Sequence, residues 1–188
     1  MTIFNGGRRV ILASASPRRK ELLSYIISDF DVIPSGIDEV ATGTPAQQVE
    51  TLATDKAVDI TRIHPDALVI GADTLVALGG RLLGKPTDAD DAFRMLKMLS
   101  GRVHHVYTGI AVVLDGHMHT AVECTRVQFT RMSDSEIREY IATGEPLDKA
   151  GAYGIQGYGG KFIRGVVGDY YNVMGLPLNR LYEILKKL

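Results

Sequence analysis

Two stretches, "RRVILAS" (residues 8–14) and "DALVIGADTLVAL" (66–78), carry apolar residues at consecutive rather than alternate positions. A strand of that kind is buried on both faces, so a chain with two of them needs helices to cover its sheet. The intervening sequence supplies them. Ser16 and Pro17 have the N-cap and first-turn chemistry of a helix through "RRKELLSYII". "FDVIPSG" reads as a second strand. Pro45 opens a longer helix, "PAQQVETLATDKAVDITRI", in which Val49, Leu52, Ala53, Lys56, Ala57 and Ile60 recur at helical spacing. "TDADDAFRMLKMLSG" is amphipathic, with acids in its first turn and Gly101 beyond its end.

The later sequence changes character. Gly79 and Gly80 turn the chain back into "RLLGKP". "HHVYTGIAVVLDG" and "HTAVECTRVQFTRM" are β runs joined at Asp115 and Gly116. "SDSE" has the capping-box pattern ahead of "EIREYIAT". "KFIRGVVGDYYNVMG" reads as a further hairpin turning at Gly168 and Asp169, and Pro177 starts the last helix. Strands alternating with helices, then hairpins, predict an α/β fold. Its sheet is mixed and twisted, flanked by helices, and not purely doubly wound.

Charge and cysteine content narrow the function classes. With 21 Lys and Arg against 22 Asp and Glu, the net charge is −1, so no broad nucleic-acid footprint is expected. Any anion site must be local. The single cysteine, Cys124, forms neither an intramolecular disulfide nor a thiolate metal cluster and suits a reducing compartment. "MTIFNGGRRVILAS" lacks the apolar run of a leader, and no stretch has the length of a membrane span. The expectation is a cytoplasmic protein, and a homodimer is compatible with the chain.

Four segments carry candidate chemistry. In "LASASPRRKELL", Arg18, Arg19 and Lys20 occupy the first turn of a helix, where each exposed cation is unfavourable by roughly 0.3–1 kcal/mol. With Ser14 and the small residues of the turn, they either build a strand–turn–helix anion site or project into water. The GxxxxGK[ST] spacing is absent. In "VIGADTLVAL", Asp73 follows an apolar run, where a carboxylate needs a partner, a metal or a capping role, and Thr74 adds a hydroxyl. In "SGIDEV", Asp38 and Glu39 follow the second strand; Glu39 with Asp73 would suit Mg²⁺, which takes one or two carboxylates plus substrate phosphates. Isolated, the pair reads as a solvated loop. Lys56 lies among the apolar positions of its helix, although a helical lysine is usually a surface residue, and Lys85 is presented by the turn at Pro86. "EPLDKAGAYGIQGYGGKF" interleaves glycines with Tyr153, Gln156 and Tyr158. It is either a ligand-binding loop or a mobile surface loop, in which Asp148 and Lys149 pair with each other. The histidines form no metal pattern: His104 and His105 point to opposite faces of a strand, and surface exposure is expected for them. Cys124 is expected to be packed.

Taken in order, "LASASPRRKELL", "GADT", "LLGKP", "TGIAVV", "EPLDKAGAYGIQGYGG" and "GDYYNVMGLPL" resemble the Maf family of nucleoside triphosphate pyrophosphatases over nearly the whole chain. The resemblance implies a fold shared with inosine triphosphate pyrophosphatases. It implies one domain over residues 1–188, with room for two lobes and a nucleotide cleft between them. It also implies cleavage of nucleoside triphosphates to monophosphate and pyrophosphate with a divalent cation, Mg²⁺ or Mn²⁺. By the same resemblance Asp73 is the proton acceptor or a metal ligand, beside Glu39. Ser14, Arg18, Arg19, Lys56 and Lys85 bind phosphate, and Arg18, Thr74 and Gln156 set base choice toward dTTP and UTP rather than 7-methyl-GTP. The chemistry of the third position agrees, because a Gln amide matches the N3–H and carbonyls of uracil and thymine. The family's association with septum formation leaves an alternative, a nucleotide-binding regulator of cell division with little turnover.

Overall fold

The structure, a computed structural model, describes residues 7–188, and the first six residues of the stretch read for a leader lie outside the described residues. The strands are β1 (Val10–Leu12), β2 (Asp31–Val32), β3 (Leu68–Leu78), β4 (Arg81–Leu83), β5 (Val103–Leu114), β6 (His117–Phe129) and β7 (Ile163–Val167). The helices are α1 (Pro17–Ser24), α2 (Pro45–Ile63), α3 (Ala89–Leu99), α4 (Asp134–Ala142), α5 (Tyr170–Met174) and α6 (Leu178–Leu185). The strands form one sheet in the order β2-β1-β3-β5-β6-β7, with β4 on β3. Pairing is parallel for β1 with β2 and β3, and antiparallel for β3 with β4 and β6 with β7. The mixed sheet with flanking helices is the architecture that the sequence predicts. Among the described residues, no helix is long and apolar enough to cross a membrane.

The chain divides into two compact units. The first contains the described residues up to Asp73, with Thr108–Glu123 and Gly175–Leu188; the second contains Thr74–Tyr107 and Cys124–Met174. One core cluster of the first is rich in alanine. Ala53, Ala57 and Ile60 of α2 pack against Ile11, Ala13, Val69, Ala111 and Val113 of the sheet. Two glycines explain the closeness of that packing. A methyl group built on Gly71 would overlap the carbonyl oxygen of Ala53, and one built on Gly109 would overlap the carbonyl of Val49. The backbone of α2 therefore lies directly on β3 and β5. The helix is anchored at its start by a capping box, in which Thr44 accepts from Gln47 N–H and the Gln47 side chain accepts from Thr44 N–H.

The second unit has an aromatic core. Phe129, Tyr140, Tyr153 and Phe162 pack with Leu96, Leu99 and Met95 of α3. His104 is fully buried here, whereas His105 is exposed. The alternation of the strand is as expected, but the surface placement expected for His104 is wrong. Its Nε2 lies 2.8 Å from the Tyr153 hydroxyl, its ring sits edge-on to Phe129 and Tyr153, and its Nδ1 has no hydrogen-bond partner. Cys124, expected to be packed, is exposed on β6.

Three boundaries also differ from the sequence reading. Helix α1 stops at Ser24, because Ile26 and Ile27 leave the helix and turn back on the Leu23 carbonyl while remaining buried. The second strand is two residues long, and Pro34, which has no N–H to donate to a ladder, follows it. No hairpin turns at Gly168 and Asp169. Instead Asp169 Oδ1 accepts from the N–H groups of Tyr171 and Asn172 and starts α5. The segment from Glu145 to Phe162, read as mobile or closely approaching backbone, forms three consecutive 3-10 turns.

Two outcomes test this packing. Gly71→Ala forces α2 off β3 and should lower unfolding free energy by about 1–3 kcal/mol or more, measured by urea unfolding. Burial, aided by the charge of neighbouring His105, pushes His104 down to about 4 from its ordinary 6.5. The unfolded state then binds more protons than the folded state between those values, so the contribution is complete above pH 6.5 and is lost as pH falls to about 4. The loss is about 3 kcal/mol. His104→Gln should flatten the slope of stability against pH in that window.

Candidate functional site

The first unit gathers two acids and two cations around Asp73, in the middle of β3. Asp73 lies two residues after Gly71, so both belong to the same face of the strand, the face on which α2 rests. On the helix, Lys56 is one turn beyond Ala53, whose carbonyl meets Gly71. The close approach thus brings Lys56 Nζ to 2.7 Å from Asp73 Oδ1. Both side chains are less than a tenth exposed. Lys56 Nζ is also 2.7 Å from Glu39 Oε1, contributed by the loop after β2, where the Glu39 side chain remains 60% exposed.

The start of α1 completes the cluster. Ser16 caps the helix, its hydroxyl accepting from Arg19 N–H at 3.4 Å. The Arg19 guanidinium turns back rather than outward. It donates through Nη1 to Ser14 Oγ at 3.0 Å and through Nε to the Gly175 carbonyl at 2.8 Å. Ser14 Oγ accepts as well from Ser16 N–H. Burial lowers the Arg19 pKa, opposed by the negative charges of Asp73 and Glu39, and Arg18 lowers it further. Arg19 is therefore electrostatically part of the same group as the two carboxylates. The unfavourable cation at the helix start is tied to polar partners and faces acids.

Ser14, Arg19, Glu39, Lys56 and Asp73 are thus brought together within the first unit. Lys56 is buried, not on the surface, and its place in the apolar stripe of α2 was the visible signal for that. The Gly175 carbonyl carries no such signal, because it lies 156 residues from Arg19. Thr74, the next residue on β3, Lys85 and Gln156 belong to the second unit. Lys85 and Gln156 are exposed. Lys149 donates to Asp148 at 2.6 Å, as the sequence suggests, and also to the Glu145 carbonyl.

Chemically, the cluster suits a polyanion with a hard cation. Glu39 and Asp73 converge on one positive centre, the Lys56 ammonium, so the same pair has the chemistry to share a divalent cation. Among the described residues no group of three or more His, Cys, Asp or Glu side chains forms a protein cage. The donor set fits a site of two carboxylates in which phosphate oxygens complete the coordination.

These features define a mixed α/β protein in which an arginine at the start of a helix lies beside a buried acid–cation pair. The chain belongs to the Maf family: residues 9–188 match the family model described as Maf-like protein. A dTTP/UTP pyrophosphatase of Clostridium novyi is 53% identical, the match covering 94% of this chain and 95% of the relative. A dTTP/UTP pyrophosphatase of Pelotomaculum thermopropionicum is 50% identical over 96% of both chains. One of Thermococcus gammatolerans is 49% identical over 93% of this chain and 94% of its own length.

The charge pair has a measurable consequence. Lys56→Met leaves the Asp73 carboxylate buried without its counter-charge and should lower unfolding free energy by about 3–5 kcal/mol. In the double variant Lys56→Met, Asp73→Leu most of that loss should be recovered, because neither member of the pair is left buried without the other. Equal instability of the single and double variants in urea would mean that the pair is not electrostatically coupled.

Proposed function

We propose that this protein is a nucleoside triphosphate pyrophosphatase that hydrolyses dTTP and UTP to the monophosphate and pyrophosphate. The observation that carries the reading is the Lys56 ammonium held between Asp73 and Glu39 at 2.7 Å from each, beside Arg19. The names of relatives about half identical over nearly full length support the substrate class.

In this reading water attacks the α-phosphorus, the α–β phosphoanhydride bond breaks, and pyrophosphate leaves with the bond electrons. Asp73 accepts the proton that the attacking water loses. Lys56, bonded to Asp73 Oδ1, fixes the orientation of that carboxylate. Arg19 and Lys56, with Ser14, Arg18 and Lys85, hold phosphate oxygens and offset the charge that develops on the leaving group. Arg18, Thr74 and Gln156 select the base, and the Gln156 amide offers a pyrimidine one acceptor and two donors. A divalent cation, Mg²⁺ or Mn²⁺, held by Glu39 and Asp73, would supply charge neutralisation across the phosphate oxygens.

The test is incubation of the purified protein with dTTP and Mg²⁺ while pyrophosphate is followed. Many turnovers per chain are expected; tight nucleotide binding without release would instead indicate a binding regulator. Asp73→Asn keeps the shape but removes the charge, and turnover should fall by roughly 10²-fold or more, with nucleotide binding retained in part. Near-normal turnover in that variant would remove Asp73 from the mechanism.

A further inference from the structure

We infer that Glu145 and Tyr140 are positioning residues that hold the turn carrying Gln156 and thereby set the discrimination between pyrimidine and purine bases. The inference rests on the reading of Gln156 as the base-facing residue.

The turn "GIQGYGG" (154–160) is rich in glycine, which by itself leaves a backbone free to sample many conformations. An amide that must present its acceptor and donors in one orientation needs that freedom removed. The surrounding residues remove it on both sides of Gln156. Before it, Gly154 N–H donates to the Tyr140 hydroxyl at 3.0 Å. After it, Tyr158 N–H donates to Glu145 Oε2 at 2.9 Å and Gly159 N–H to Glu145 Oε1 at 3.0 Å. The Tyr140 hydroxyl in turn donates to Glu145 Oε1 at 2.7 Å, so both ends of the turn hang on one linked pair.

The pair is itself anchored. Tyr140 is buried at the end of α4, edge-on to Phe162 at 5.5 Å between ring centres. Glu145 opens the next 3-10 turn, and Lys149 bonds its main-chain carbonyl at 2.7 Å. Burial pushes the Glu145 carboxyl up, but the bonds from Tyr140, Tyr158 N–H and Gly159 N–H outweigh it and hold the group below its ordinary value. The clamp is thus an anion at neutral pH. The fit is close on the loop side too. A methyl group on Gly157 would overlap Glu145 Oε2, and Gly157 has φ +79°, a conformation that other residues rarely adopt.

The test uses Glu145→Gln and Tyr140→Phe. A Gln side chain has one acceptor oxygen, so an NH₂ group must face Tyr158 N–H or Gly159 N–H. Phe keeps the ring against Phe162 but removes the hydroxyl that joins Gly154 to Glu145. Steady-state kinetics with UTP and GTP are compared with inhibition by inorganic tripolyphosphate, which has no base. Each variant should raise KM for UTP and lower the UTP-to-GTP ratio of kcat/KM by roughly tenfold, with kcat for UTP within about twofold and tripolyphosphate inhibition unchanged. An unchanged ratio, or UTP, GTP and tripolyphosphate weakening together, would overturn the positioning role. If Glu145→Gln does not fold, Tyr140→Phe carries the same comparison. A parent protein that hydrolyses neither nucleotide overturns the proposed function and this inference with it. A discriminating parent with equally discriminating variants overturns only the inference.

Discussion

The contact between Lys56 and Asp73 governs the first unit of this protein. Two opposite charges, both nearly removed from water, are tolerable only at hydrogen-bond distance, and at 2.7 Å they meet that condition. That distance is set by backbone packing rather than by the charges themselves. Gly71 and Gly109 admit the carbonyls of α2 into the surface of the sheet, and Ala53 and Ala57 keep the seam thin. Larger residues at these places would move the helix outward and leave a buried carboxylate without its partner. Glu39, from a loop, and Arg19, from the start of α1, are then added to a centre that already exists.

The second unit reaches order by different means. Its core is aromatic, and its glycine-rich segment is held by a tyrosine and a glutamate rather than by strand pairing. A buried histidine completes that core with one ring nitrogen bonded to Tyr153 and the other without a partner. Such a group is inert near neutral pH and becomes a liability on acidification, when the unfolded chain takes up a proton that the core refuses.

Much of this was legible in the sequence. Periodicity placed Lys56 on the apolar stripe of α2 with Val49, Ala53 and Ile60, and the apolar run before Asp73 announced a buried carboxylate. The general rule that helical lysines are exposed pointed the other way, and the position in the stripe was the better guide. Short-range chemistry was read well at Ser16 and Ser133, where a cap lies within three residues of its donor. Two of the misreadings share a cause, which is dependence on partners distant in the chain. His104 is buried against Tyr153, 49 residues on, whose hydroxyl shares a hydrogen bond with its ring. The chain after β7 becomes a helix where Asp169 caps it, while Thr125, 44 residues earlier, fixes Asp169 through both main-chain groups. The clamp on Gln156 was likewise invisible, since a glutamate at the start of "EPLDKAG" gives no local hint that it binds Tyr158 and Gly159.

The glycine seam also has a bearing on how such a sequence can diverge. Glycine is the smallest residue, so drift at position 71 or 109 can only add volume. The atoms it would meet are main-chain oxygens of Ala53 and Val49, which no change of side chain can trim. A compensating substitution on α2 is therefore not available, and the helix would have to move as a body with Lys56 aboard. Descendants of this sequence must inherit the two glycines and the lysine as a single unit, whatever happens to the loops around them.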